Sequence, residues 1–189
     1  MSLTGRSILS SERLQLEPVQ ATDAADFYAL WSSPELAQVA GIDPVGSTDD
    51  VAAGLAQFER LRLLGMYWKW RLSRRDNQAF VGEIEVYPLR PQIQPWTEWG
   101  IGYSLMPHYW RQGLASEALV SVIEAVFMHP EAMRIKADVD ASNVASIRLL
   151  QRLHFSQEGV QKDKIWHSNR SHDMLLFGLT RSTWQLIPR

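Results

Sequence analysis

The spacing of apolar residues changes several times along the chain, and each change predicts a different structural element. Apolar and polar residues alternate in the segment RLQLEPV at 13–19, and this pattern predicts a β-strand. Leu55, Phe58 and Leu61 recur at a spacing of three residues, which predicts one face of an amphipathic helix. Strands are predicted at 13–19, 66–73, 79–89, 97–106, 134–140, 155–166 and 172–180, and helices at 24–36, 47–65, 114–128 and 143–153.

The order of these elements indicates the fold class. One strand and two helices are followed by three strands, a helix, a strand, a helix and two closing strands. Such an order is typical of an α/β chain of mixed α+β character, in which helices cover the faces of a mixed sheet. The proline-rich segment at 90–96 joins two neighbouring strands, so we interpret it as a hairpin tip. Residues 1–189 are therefore expected to form a single domain.

The composition excludes several classes of protein. The 189 residues are 46% hydrophobic, as in globular chains, and no apolar stretch is long enough to cross a bilayer. A net charge of −2 argues against a general nucleic-acid binder. The absence of cysteine excludes disulfides and cysteine nucleophiles, and the five histidines form no cluster with metal-ligand spacing. We therefore expect a cytoplasmic protein with no nucleic-acid, membrane or metal partner.

The segment MPHYWRQGLASEAL at 106–119 places a basic residue and a glycine at the start of a long apolar helix. The first turn of a helix leaves N–H groups without partners, and the helix dipole adds positive charge there. Gly113 lets an anion approach this backbone and Arg111 can add a charged contact, so the segment fits a phosphate site. A loop glycine before an ordinary helix start explains the same residues. Neither the P-loop nor the dinucleotide glycine signature is present.

The window from Trp110 to Ala115 resembles the acetyl-coenzyme A motif of the GNAT acyltransferase superfamily, (Gln/Arg)-x-x-Gly-x-(Gly/Ala). Gly113 and Ala115 match this motif, whereas Trp110 departs from its first position. A tryptophan there, with SEA after the small residue, is similar to the RimJ/RimL branch, the ribosomal-protein N-terminal acetyltransferases. The segments at 11–36 and 138–155 also look like that branch, so the resemblance covers most of the chain in order.

The resemblance implies both a fold and an activity. The implied fold is a single GNAT-like domain, with a mostly antiparallel mixed sheet of about six to seven strands and about four helices on its faces. The implied activity is N-acetyl transfer from acetyl-coenzyme A, as cosubstrate, directly to a primary amine. The acceptor is either a protein N-terminus or a small-molecule amine, and a homodimer is a possible assembly. The alternative is a non-catalytic acyl-coenzyme A sensor, or a partner-binding module, on the same fold.

The resemblance also implies roles for particular residues. Backbone N–H groups around Ser104 and Leu105 would stabilise the developing oxyanion, where the central strand splays from its neighbour. Ser146 would donate to the leaving thiolate and Asn143 would orient the pantetheine arm, although a helix cap and a first-turn residue explain the same pair. Many members use a tyrosine as the acid, but none follows Tyr109, so a serine or a water is expected to serve. The implied coenzyme contacts are Ser104, Leu105, Met106, Arg111, Gln112, Gly113, Leu114, Ala115, Ser116, Asn143 and Ser146.

The base that accepts the amine proton is expected among the glutamates of the central strands. The catalytic candidates are Glu98 and Glu83, and Glu85 shares a strand face with Glu83. Each of them also fits an ordinary solvated or ion-paired strand residue. Relatives usually carry an acid near Gly100, where this chain has none.

Two further expectations concern the helix end and the acceptor. Relatives usually carry glycine at the position of His154, and there we expect a left-handed helix cap with a structural role. The acceptor is expected to contact residues 39–48, residues 90–96 and the last strands.

Overall fold

The strands and helices of the computed structural model begin and end close to their predicted positions. The structure describes residues 8–40, 45–90, 95, 97–167 and 169–187, so much of the two loops expected to contact the acceptor lies outside the described residues. The strands are β1 Leu9–Ser10, β2 Leu14–Pro18, β3 Trp68–Arg74, β4 Phe80–Pro88, β5 Glu98–Leu105, β6 Arg134–Asp140, β7 Ser156–His167 and β8 Arg170–Thr180. The helices are α1 Ala24–Trp31, α2 Pro34–Ala40, α3 Thr48–Leu63, α4 Leu114–Phe127, α5 Val144–Arg152 and α6 Arg181–Gln185.

All seven predicted strands are present, and the differences from the prediction are small elements. Strand β1 has two residues, which is too short to show a period. The helix predicted at 24–36 is two helices, because Pro34 begins α2 and the Ser33 hydroxyl accepts a hydrogen bond from the Leu36 N–H at 3.2 Å. Helix α6 begins where the Thr180 hydroxyl accepts from the Thr183 N–H at 3.1 Å. The described residues thus contain eight strands and six helices, slightly more than expected.

One sheet contains all the described strands, in the order β1-β2-β3-β4-β5-β6-β8-β7. Every neighbouring pair is antiparallel except β5 and β6, which are parallel. This parallel pairing extends only from Glu98 opposite Arg134 to Gly100 opposite Lys136. Strand β5 continues to Leu105 while paired with β4. The sheet therefore opens between β5 and β6 beyond Gly100, as the resemblance implied.

Two apolar clusters fix the helices to this sheet. The larger cluster joins α4 and α5 to the central strands and contains the fully buried Trp70 and Trp99. The smaller cluster joins α1 to α3 through Phe27, Val51 and Leu55. Because burying each large apolar side chain stabilises the fold by about 1.5–3 kcal/mol, these clusters hold the helix starts at fixed positions beside the opened strand.

Gly100 and Gly102 make room for side chains of the neighbouring strand. They lie opposite Tyr87 and Glu85 in the regular β4–β5 register, with no bulge between them. A Cβ atom at Gly100 would lie 2.6 Å from Tyr87 Cζ, and one at Gly102 would lie 2.9 Å from Glu85 Oε1. The two glycines therefore let side chains of β4 lie close against the backbone of β5.

Candidate active site

A cavity of about 590 Å³ lies where the opened part of β5 meets the first turns of α4 and α5. It collects most of the residues that the sequence assigned to coenzyme binding, together with two residues of α2. Its walls are formed by Leu36, Val39, Tyr103, Ser104, Leu105, Tyr109, Trp110, Arg111, Gly113, Leu114, Ala115, Ser116, Asn143, Val144, Ala145, Ser146, Arg148, Leu149 and Arg152.

The start of α4 presents free backbone donors to this cavity. Gly113, the residue before the helix, has a φ angle of 79°, a left-handed conformation that favours glycine. The first intrahelical bond runs from the Glu117 N–H to the Gly113 carbonyl at 3.1 Å. The N–H groups of the three preceding residues, Leu114 to Ser116, come before that bond and carry the positive end of the helix dipole. All three residues line the cavity, so the helix start can bind an anion there.

Arg13, which the sequence analysis did not assign, supports this turn from its position just before β2. Its Nε donates to Glu117 Oε2 at 2.7 Å and its Nη1 donates to the Gln112 carbonyl at 3.1 Å. Partial burial opposes the charged form of Glu117, but hydrogen bonds from Ser11 and Arg13 outweigh it and lower the pKa of that carboxyl. The Arg13 Nη2 atom lies 3.4 Å from where a Cβ atom at Gly113 would be. Arginine is common in sequences, and its partner Glu117 is 104 residues away, so no local pattern indicated the contact.

Two predicted coenzyme contacts lie outside the cavity walls. The side chain of Gln112 donates to the His108 carbonyl at 2.7 Å, within the loop itself. The Met106 N–H donates to the Val81 carbonyl at 2.9 Å and so continues the sheet. The neighbouring Trp110 does line the cavity, and its indole N–H donates to the Leu105 carbonyl at 2.7 Å, which fixes the loop to the strand end.

The backbone of β5 separates the two residues expected to stabilise an oxyanion. Hydrogen-bonding directions alternate along an antiparallel strand, and Met106 directs its N–H towards β4. Ser104 therefore also directs its N–H towards β4, whereas Leu105 and Tyr103 direct theirs towards the gap beside β6. Of the predicted pair, Leu105 has an N–H group that faces the opening.

Asn143 and Ser146 both line the cavity, and the side chain of Asn143 is engaged at both ends. Its Oδ1 accepts from the Ser146 N–H at 3.0 Å, which makes it the N-cap of α5, and its Nδ2 donates to the Val39 carbonyl at 3.1 Å. The Ser146 hydroxyl lies 2.6 Å from the Tyr103 hydroxyl. Tyr103 is thus a cavity residue that the sequence analysis missed, because strand alternation gave no sign of its partner on α5.

The structure does not bring the two candidate bases into the cavity wall. Glu98 lies at the opposite end of β5 from Leu105, in an ion pair with Arg134 at 3.1 Å. Glu83 is buried on the face of β4 that lies towards α1. There it accepts a hydrogen bond from Trp31 Nε1 at 2.8 Å and pairs with Lys69 Nζ at 2.7 Å. Burial raises the pKa of Glu83, and the neighbouring ammonium opposes this shift.

Lys69 joins Glu83 to the third candidate, Glu85. Its ammonium lies 2.5 Å from Glu85 Oε2, and 4.7 Å from the ring centre of Phe58. Burial disfavours the charged lysine, but the two carboxylates outweigh it and raise the pKa of Lys69. The three side chains therefore form a triad of one ammonium and two carboxylates outside the cavity wall, in which Lys69 and Glu83 are buried and Glu85 is half-buried.

Basic residues surround the cavity instead of acids. Arg148 and Arg152 lie on the cavity side of α5, spaced by one helical turn, and Arg111 lies in the loop before α4. Arg111 adopts a φ angle of 62°, so two of the three residues from Arg111 to Gly113 are left-handed. The three guanidinium groups give the cavity a positive rim, which suits a ligand with several phosphates.

His154 fulfils the structural role that the sequence predicted. It has a φ angle of 63°, its N–H donates to the Gln151 carbonyl, and the Phe155 N–H donates to the Leu150 carbonyl. This pair of bonds is the Schellman arrangement that ends a helix. No group of three or more metal-ligating side chains occurs in the described part of the chain, and none of its helices is long and apolar enough to span a bilayer.

Comparisons with known proteins agree with this geometry. The family model for the acetyltransferase (GNAT) domain matches residues 13–156. An uncharacterized N-acetyltransferase of Bacillus subtilis, YoaA, is 28% identical over 174 residues, which cover 92% of this chain and 97% of the relative.

Two solved structures show the same fold. RimJ of Mycobacterium smegmatis, in complex with a coenzyme A disulfide, has a TM-score of 0.84 at 19% identity, over 100% of this chain and 93% of that one. RimL, a ribosomal L7/L12 alpha-N-protein acetyltransferase in complex with coenzyme A, has a TM-score of 0.82 at 19% identity, over 94% and 99% of the two chains.

Proposed function

Because the chain belongs to the GNAT acetyltransferase family, we propose that it transfers an acetyl group from acetyl-coenzyme A directly to a primary amine. The observation that carries the proposal is one cavity that joins three elements: the free N–H groups at the start of α4, the opened end of β5, and the hydroxyl of Ser146. These three elements match the three parts of the donor that need binding. They are the phosphates, the thioester carbonyl and the sulfur.

The residues around the cavity fit the charge of the donor. The pyrophosphate would accept hydrogen bonds from the N–H groups of residues 114–116, and the helix dipole favours negative charge at that point. Arg111, Arg148 and Arg152 add three positive charges at the rim of the same cavity. The start of α4 depends on Gly113, because its φ angle of 79° favours glycine and a Cβ atom there would lie 3.4 Å from Arg13 Nη2.

At the reacting centre, the chain provides donors for two developing negative charges. The Leu105 N–H, which faces the gap between β5 and β6, is placed to stabilise the oxyanion of the tetrahedral intermediate. In the proposed reaction the Ser146 hydroxyl donates to the departing sulfur. Because the chain contains no cysteine, no thiol of the protein can carry the acetyl group, and direct transfer is the simplest course.

The acceptor that suits this site best is a protein N-terminus. The candidate bases Glu83, Glu85 and Glu98 are all ion-paired and lie outside the cavity wall. None of them is therefore in place to remove a proton from the amine, so the reacting amine must already be neutral when it reaches the thioester. At pH 7.5 about a third of α-amino groups are neutral, against about a thousandth of lysine side chains. The alpha-N-protein activity of RimL, a structural neighbour, supports the same acceptor class.

The test is thiol release from acetyl-coenzyme A with matched peptides. One peptide carries a free α-amine and no lysine, and a second carries a blocked N-terminus and one lysine. We expect release with the first peptide and at least ten times less with the second at neutral pH. If the protein does not bind coenzyme A at millimolar concentration, the proposal is wrong. Tight binding without transfer to any amine would instead identify a coenzyme sensor on the same fold.

A further inference from the structure

The hydroxyl groups of Tyr103 and Ser146 form a short hydrogen bond of 2.6 Å inside the cavity. Tyr103 belongs to β5 and Ser146 to α5, so this bond joins the opened strand to the helix that faces it. Both residues line the cavity, and the Ser146 N–H is held by the Asn143 cap. The backbone and the side chain of Ser146 are therefore both fixed, which orients its hydroxyl within the cavity.

The phenol of Tyr103 stays protonated throughout the physiological range. Burial raises its pKa to about 12, although the hydrogen bond with Ser146 opposes the shift. The other ionisable groups that line the cavity are Tyr109 and the three arginines Arg111, Arg148 and Arg152, and no carboxylate is among them. A protonated phenol can donate its single hydrogen to Ser146 Oγ. The hydrogen of Ser146 is then free to point into the cavity.

We propose that Tyr103 is a positioning residue that makes Ser146 a fixed hydrogen-bond donor to the leaving sulfur. The inference rests on the proposed acetyl transfer. In that reaction the C–N bond forms, the C–S bond breaks and the electron pair of that bond moves to sulfur. The amine nitrogen loses its proton to water, and the sulfur takes a proton from water after leaving the site.

In this reaction the hydrogen-bonded hydroxyls of Tyr103 and Ser146 stabilise the thiolate without protonating it. An ordinary thiol has a pKa of about 8.5, so its thiolate is too weak a base to remove the proton of a phenol with a pKa of about 12. A fixed donor to an anion is worth more than a rotating one, since no ordering of the hydroxyl accompanies the reaction. Ser146 alone has three rotamers, and Tyr103 selects the useful one.

A double-mutant cycle tests the coupling. Ser146→Ala should lower kcat about tenfold to a hundredfold, and Tyr103→Phe about fivefold to tenfold, with little change in KM for acetyl-coenzyme A. The double variant should be no slower than Ser146→Ala, because Tyr103 acts only through Ser146. Tyr87→Phe, which removes a half-buried phenol of β4 outside the cavity wall, is the matched control and should keep the wild-type kcat. Equal losses from Tyr103→Phe in both backgrounds would mean a purely structural role and would overturn the inference.

A binding experiment gives a second, independent readout that needs only Ser146→Ala to fold. A site that favours the thiolate lowers the pKa of bound coenzyme A. Its affinity should therefore rise about tenfold between pH 7 and pH 9 relative to desulfo-coenzyme A, which lacks the thiol. Ser146→Ala should abolish this difference. Equal pH dependence for both ligands in the wild type would overturn the inference while leaving the proposed function intact, whereas a wild type that binds neither ligand would remove the proposed function itself.

Discussion

The side-chain amide of Asn143 bridges two helices across the cavity. Its Nδ2 donates to the Val39 carbonyl in α2 at 3.1 Å, while its Oδ1 caps α5 through the Ser146 N–H at 3.0 Å. One side chain therefore begins the helix that carries Ser146 and holds the helix that forms the facing wall. A substitution can separate these two roles, because only the amide nitrogen serves α2.

Asn143→Ala should lower the stability of the protein by about 1 kcal/mol, since α5 loses its cap. Asn143→Asp should lose less stability, because a carboxylate oxygen can still accept from the Ser146 N–H. Both variants lose the bond to Val39, so both should bind coenzyme A more weakly. Urea unfolding and titration calorimetry measure the two effects. Wild-type affinity in Asn143→Asp would show that the bond between α2 and α5 does not matter for the cavity.

Two substitutions at Gly113 should weaken coenzyme binding to different extents. Gly113→Ala places a β-carbon at a φ angle of 79°, which costs about 1–2 kcal/mol, and Gly113→Asp also places a negative charge beside the phosphates. We expect weaker coenzyme binding for the alanine variant and none for the aspartate variant. Gly54→Ala is the matched control, because that glycine lies inside α3 with nothing within 4 Å of the added atom. It should stabilise the protein by about 0.5–1 kcal/mol and leave binding unchanged.

The positive rim predicts a salt-dependent affinity. Arg152→Gln should weaken coenzyme A binding at low ionic strength and should also reduce the loss of affinity on adding salt, because one charge–phosphate contact is gone. Arg60→Gln removes the same charge from α3 and serves as the control. The measurement is the dissociation constant at several salt concentrations. Identical salt dependence in wild type and Arg152→Gln would exclude that arginine from the phosphate site.

The triad of Lys69, Glu83 and Glu85 predicts a pH-dependent stability defect. Lys69→Met leaves two carboxylates, Glu83 and Glu85, without their ammonium, which should cost about 3–5 kcal/mol near pH 7. Burial holds the folded-state pKa of Glu83 above its unfolded value, so the folded state gains stability as pH falls through that raised pKa. The defect should therefore shrink towards acidic pH in denaturant unfolding. A second substitution, Glu83→Gln, should relieve part of it at neutral pH, and a defect of equal size at every pH would contradict this account.

Much of the fold was predictable because its elements carry periodic signals. The strands predicted at 13–19 and 134–140 are present as β2 and β6, and Gly113 lies at the predicted start of α4. The differences from the predicted elements are confined to short segments of the chain. Pro34 divides a helix whose apolar pattern continues through it, and β1 has too few residues to show a pattern.

The site was predictable only where its residues are adjacent in the chain. The loop before α4 is one segment, so its glycine and arginine were recognisable together. Tyr103 and Ser146 are 43 residues apart, and Arg13 and Glu117 are 104 residues apart, so only the folded chain brings each pair together. Glu83 and Glu98 looked equivalent as strand glutamates, but the sheet places one beside Lys69 and the other beside Arg134.

The most direct test of acetyl transfer to an α-amine is the mass of a peptide product. A peptide that contains both a free N-terminus and an internal lysine is incubated with the protein and acetyl-coenzyme A, and the modified site is located by fragmentation. We expect one added acetyl group on the N-terminal nitrogen, and none with Gly113→Asp. An unmodified peptide in the presence of bound coenzyme, or an acetyl group on the lysine alone, would contradict it.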